Sequence, residues 1–147
     1  MATYTKIQDW VEYLVEGANL GSDTFAVALS NTAPASETSN PTVSGNGVIA
    51  NVTQISYANY TDDLTSDRVL ESVTSTETSG TLTFDAGDFS ITASGGAIAD
   101  FRYIYIYDDT LAGDPLVAVW DNGSAISLAD GDSATISFNA SGIFTLA

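Results

Sequence analysis

Phe101-Arg102-Tyr103-Ile104-Tyr105-Ile106-Tyr107 decides how this chain folds. Read with the two-residue period of a strand, Phe101, Tyr103, Tyr105 and Tyr107 line one face. Ile104 and Ile106 line the other, beside Arg102. A strand that is apolar on both faces must be covered on both. One face goes to the core of its own domain, and the other needs a second layer, a helix or a partner subunit. These residues therefore predict a layered β-domain.

Downstream, Pro115-Leu116-Val117-Ala118-Val119-Trp120 pairs with this strand across the loop running from Asp108 to Asp114. Asp121-Asn122-Gly123-Ser124 is a strong turn signal. Ile126 and Leu128 lead to another turn at Asp130-Gly131-Asp132. The alternating Ala134-Thr135-Ile136-Ser137-Phe138 follows, and Ile143-Phe144-Thr145-Leu146 closes the chain. Upstream, residues 24–30, 48–55, 69–76, 81–84 and 89–92 read as strands. Residues 31–47, rich in Ser, Thr, Asn, Pro and Gly, read as a long surface loop. Short strands separated by frequent turns indicate a mainly β, antiparallel β-sandwich or jelly roll. Its 147 residues form one domain without repeat or linker, long enough to bury a core.

The predicted exception to β structure is an N-terminal α-helix at about residues 4–16. Tyr4, Ile7, Trp10, Val11, Leu14 and Val15 recur at helical spacing, Thr3 or Thr5 can cap the start, and Gly17 can stop it. Such a helix packs on a sandwich edge or docks on a neighbouring subunit.

Charge narrows the function. Nineteen acidic residues face three basic ones, Lys6, Arg68 and Arg102, for a formal charge of −16. That surface repels phosphate backbones and anionic lipids, so neither nucleic acid nor a membrane is an expected partner. It also keeps a protein soluble at high local concentration. Cysteine and histidine are absent, which removes disulfides, Ser-His-Asp and Cys-His catalysis and the usual zinc ligands. The N-terminus has no long apolar run, so synthesis in a cytoplasm without a signal peptide is expected.

Three chemistries are open to the residues that remain. Asp62-Asp63 with Asp67, Asp108-Asp109 with Asp114, and Asp130 with Asp132 bring carboxylates together in loops, as calcium requires. None has EF-hand spacing, and Asp forms turns through its own hydrogen bonds, so turn chemistry is the expectation and no metal or cofactor is assigned. Paired carboxylates could hydrolyse glycosides, but nothing marks one as buried, and no catalytic residue is assigned. Exposed aromatics could stack on sugar rings, with Tyr57 and Tyr60 the expected exposed ones and Trp120 core. The sequons at Asn51, Asn59, Asn122 and Asn139 matter only on a eukaryotic secretory route.

Several segments together resemble a known family. They are Met1-Ala2-Thr3-Tyr4-Thr5-Lys6-Ile7, then Gly21 to Pro34 (GSDTFAVALSNTAP), Phe101-Arg102-Tyr103, Pro115-Leu116-Val117, Trp120 to Ser124 and the closing Gly142 to Ala147. The chain is similar to small virion proteins of tailed bacteriophages, the head decoration (cement) proteins of jelly-roll type. The similarity spans nearly the whole chain, least in 35–65, and residues 23–34 are its most specific part. The resemblance implies a non-enzymatic protein on the outer surface of the virion that stabilises the head by binding the major capsid protein. A homodimer or homotrimer is expected on a symmetric shell. Ile7, Trp10, Val11, Tyr103, Tyr105 and Tyr107, with the 31–47 loop, are the expected interface. The alternatives are a tail or baseplate component, and a carbohydrate-binding module for host attachment.

Overall fold

The structure is a computed structural model, and it describes residues 1–35 and 47–147. Most of the expected 31–47 loop thus lies outside the described residues. The elements run β1 (Thr3–Lys6), α1 (Trp10–Glu16), β2 (Phe25–Ser30), β3 (Tyr60–Asp62), β4 (Thr74–Thr78) and β5 (Thr81–Asp85). Then come β6 (Phe89–Ala93), β7 (Phe101–Asp108), β8 (Leu116–Ile126), β9 (Ser133–Ile136) and β10 (Phe144–Leu146). A four-stranded sheet has the order β1-β8-β7-β2, and two three-stranded sheets have the orders β10-β5-β4 and β3-β6-β9. Every pairing is antiparallel. The mainly β, antiparallel sandwich class is what forms, its strands divided among three sheets in the described residues.

β7 lies between β2 and β8, and its two apolar faces explain the layering. Register puts Phe25, Val27 and Leu29 of β2 on the same face as Ile104 and Ile106. On that face Phe25 meets Phe84 of β5 at 4.8 Å, which joins the four-stranded sheet to the second layer. Tyr103, Tyr105 and Tyr107 share the opposite face with Ala26, Ala28 and Ser30. There Ser30 Oγ donates to the Thr53 carbonyl at 2.6 Å, placing the 47–57 segment over the tyrosines. Both faces are therefore covered from within one chain. Tyr103, Tyr105 and Tyr107 retain 6%, 1% and 8% of their surface, so they are core and not the docking groups expected of them.

The outer edge of β2 is sealed in the same way. Val27 N–H donates to the Arg68 carbonyl, Leu70 N–H to Phe25 and Ile55 N–H to Leu29, while the Tyr57 hydroxyl accepts the Leu29 N–H. Residues 69–70 are thus a short bridge to β2, and the strand expected at 69–76 starts at Thr74 instead. The strand expected at 48–55 is an irregular cover with a 3-10 turn at Ile49–Asn51. Its backbone groups are spent singly, Val48 bridging Pro115 and Ile55 reaching Leu29, so no ladder can form.

Two further expectations are corrected. The N-terminal helix does not start near residue 4. Thr3–Lys6 is strand β1, paired with β8 from Thr3↔Asp121 to Lys6↔Ala118, and Ile7 N–H adds a bond to Val117. A helix through these residues would leave the β8 edge unpaired, and Thr and Tyr favour strand. The N-cap is Asp9, not Thr3 or Thr5, and its carboxylate accepts the Gly47 N–H at 2.7 Å. Asp121-Asn122-Gly123-Ser124 is likewise no hairpin turn, because β8 runs through it to Ile126. Tyr103 faces Asp121 and Phe101 faces Ile126, so Asn122, Gly123, Ser124 and Ala125 bulge out opposite Arg102. The Arg102 guanidinium grips Asp121 with two bonds of 2.6 and 2.8 Å, and Gly123 takes a left-handed φ of 83° while its N–H donates to the same carboxylate.

Candidate functional site: an acid-free apolar strip

The acidic turns are committed to backbone. Asp62 accepts the Leu64 N–H, Asp63 the Ser90 N–H, Asp130 those of Gly95 and Gly96, and Asp132 that of Ala129. The bonds of Asp62 and Asp132 are local turn bonds of the kind expected of Asp, whereas those of Asp63 and Asp130 tie distant segments together. Among the described residues no three His, Cys, Asp or Glu side chains converge.

Asp108 differs, being fully buried at the end of β7. One oxygen accepts the N–H groups of Thr110 and Leu111 at 2.9 and 3.2 Å, and the other has no hydrogen-bond donor among the described residues. Burial pushes its carboxyl above the ordinary value, the two N–H donors pull the other way, and the neighbouring Asp23 carboxyl adds to the rise. An acid with a raised folded pKa contributes most stability below its unfolded value of 3.8, and that contribution is lost as pH climbs through the raised value. Asp108→Asn keeps the acceptor and removes the charge. It should raise stability at neutral pH by on the order of 1 kcal/mol and flatten the pH dependence above 4. Thermal midpoints of both proteins from pH 4 to 8 check this; equal slopes would assign the dependence elsewhere.

The aromatic residues give no open platform at Tyr57 and Tyr60. Both are half-buried and stack edge to face at 5.3 Å, with the Arg68 guanidinium 4.1 Å over the Tyr57 ring. Trp120, expected in the core, is instead half-exposed, with Tyr4 at 5.3 Å and Phe138 at 5.6 Å.

That exposure belongs to a larger feature. A groove of about 670 Å³ is lined by Met1, Tyr4, Trp120, Phe138, Asn139 and Phe144 among others, none with a charged side chain. Phe144 and Thr145 continue into a second groove of about 390 Å³ between α1 and β10, lined by Leu14, Val11, Val15 and Leu146. Lys6 has the single charged side chain of either lining. Among the described residues, the exposed large hydrophobics are Met1, Tyr4, Val11, Val15 and Leu146, and all five lie on this strip. In a chain with nineteen acids, the linings of these two grooves carry none, while Val11 and Val15 also border a depression with Asp9, Glu12 and Glu16.

Its framework is two sheet edges. β1 ends the four-stranded sheet and β10 ends one of the three-stranded ones. All four residues of β1 are exposed. Pairs along β1 and β8 alternate between bonded and non-bonded, and Ile7 bonds to Val117, so Thr3 and Thr5 also bond inward. Tyr4 and Lys6 therefore turn their N–H and C=O groups outward.

Of the expected interface residues, only Val11 stands on this strip as an exposed side chain, at 48%. Ile7 and Trp10 are core at 0% and 2%, Trp10 packing edge-on against Phe25. Tyr4, Val15, Trp120, Phe144 and Leu146 were missed. The width of the apolar stripe on α1 held a signal. Trp10 and Leu14 lie one turn apart on one side, and Val11 and Val15 are rotated about 100° from them. One sheet cannot cover so wide a stripe.

Comparison with protein-family models, curated proteins and solved structures finds no match to this chain. Among the described residues no helix is long and apolar enough to cross a membrane.

Proposed function

We propose that this protein is a non-enzymatic virion component that decorates and stabilises the head of a tailed phage, docking on the major capsid protein from outside. The observation that carries the reading is the acid-free strip, with every exposed large hydrophobic of the described chain gathered along it. Scattered exposed apolar residues are ordinary, whereas a contiguous patch marks a docking surface. The acidic remainder suits a protein that stays soluble at high copy number before assembly. The sequence resemblance supplies the choice of a phage head among surfaces that such a strip could bind. A closed dimer or trimer on the shell follows from the symmetry of its sites.

The test is addition of the purified chain to expanded heads assembled without it. Near-stoichiometric occupancy of the coat lattice and a higher temperature of DNA release are expected. A few copies per virion, counted by mass spectrometry, would move the protein to the tail or baseplate, and absence from the particle would overturn the structural role. One observation favours a second reading. Four aromatic rings beside Asn139 and Ser141 line the larger groove, a combination that stacks on and hydrogen-bonds to sugars. Binding to a glycan array without any capsid would establish it instead.

A further inference from the structure

We infer that β1 is completed by an extended segment of the capsid partner, added as a fifth strand along its open edge; this rests on the docking reading above. The argument begins with the backbone. The outward N–H and C=O groups of Tyr4 and Lys6 form a short template, and the whole of β1 is exposed. Open edges accept strands from other chains and are usually blunted by charge, proline or a bulge. Here β1 carries no proline or acid, and its only charge is Lys6. The opposite edge of the same sheet, at β2, is sealed by residues 55–70. One sheet therefore has one closed edge and one open edge.

The side chains select the occupant. Tyr4 and Lys6 share a face with Trp120 and Ala118, toward the two grooves. An added strand would present every second side chain to that apolar lining, so its alternate residues must be apolar. Beyond Lys6, Asp9, Glu12 and Glu16 line a shallow depression with Val11 and Val15. A segment that continues past β1 meets these three carboxylates and is complementary when it carries Lys or Arg there. A second copy of this chain is a poorer fit, since it brings a further net charge of −16 of its own. The occupant is thus an extended capsid-protein segment with alternate apolar residues and a basic end.

The experiment uses the whole protein and expanded heads assembled without it. Lys6→Pro removes an outward N–H and blocks the edge, while the inward bonds of Thr3, Thr5 and Ile7 to β8 remain. Lys6→Ala removes only the charge. Strand addition predicts at least a tenfold loss of affinity for Lys6→Pro and less than threefold for Lys6→Ala, with thermal midpoints alike. It also predicts, in the unaltered protein, slowed amide exchange at Tyr4 and Lys6 on binding heads, a readout that no variant can confound. Full binding by Lys6→Pro with fast exchange at both amides would overturn strand addition and leave docking on the strip intact. No binding by the unaltered protein would instead remove the docking reading itself. Protection of the two amides in a free dimer without heads would assign the edge to a second copy and overturn the capsid segment.

Discussion

Phe84→Ala is expected to remove about 3–5 kcal/mol of folding stability, the range for truncating a fully buried phenylalanine. Phe84 has no exposed surface. Its ring lies 4.8 Å from Phe25 of β2 and 5.0 Å from Phe144 of β10, so one side chain links the four-stranded sheet to the sheet that borders the strip. Truncation removes the ring and leaves a cavity between layers, where backbone ladders on both sides resist collapse. Domains of this size have about 5–15 kcal/mol in hand, so the variant should unfold at markedly lower urea and melt on the order of 10 °C earlier. Equilibrium urea unfolding measures it. A loss below about 1 kcal/mol would mean that the two layers are held together elsewhere.

Val11→Asp with Val15→Asp is the complementary case, expected to leave the fold alone and abolish docking. The two side chains are 48% and 82% exposed, so in the free protein the new carboxylates remain in water. Surface changes of that kind stay within about 0.5 kcal/mol. Under a docked partner the same carboxylates would lose water in the groove between α1 and β10, in excess of any basic end that already faces Asp9, Glu12 and Glu16. Burying unpaired charge costs several kcal/mol, equivalent to a loss of affinity of about 100-fold or more. Co-sedimentation with expanded heads reads the loss. Ser79→Asp, at the β4–β5 turn and outside both groove linings, should bind normally. Undiminished binding by the double variant would clear the strip of any role.

The contrast between Phe84 and the pair Val11 and Val15 shows how much of the fold is legible in the sequence alone. Period-two patterning identified β2 and β7 and the need to cover β7 on both sides, because burial of a central strand leaves a continuous apolar run. It cannot tell a covering segment of the same chain from a partner, which is why the tyrosines read as an interface in the sequence. Tyr4 and Ile7 are three residues apart, a helical spacing that the strand instead splits between its two faces. Only the distant β8 edge decides between them. The Asp121-Asn122-Gly123-Ser124 signal is genuine turn chemistry, used inside a strand because Arg102 pins the bulge it makes. The strip was illegible because it gathers single residues from β1, α1, β8 and β10, none conspicuous alone.

That gathering bears on when the protein can act. β1 is made first, yet its partner strand β8 lies nearly a full chain length later, and β10 is later still. On the ribosome, the edge template and both grooves do not exist until these last strands have emerged. Contacts so distant in sequence also form slowly. A nascent or truncated chain therefore exposes β1 without its β8 partner, prone to wrong pairing but unable to dock. The complete strip is the last feature this fold acquires, so unfinished molecules lack the surface proposed to dock.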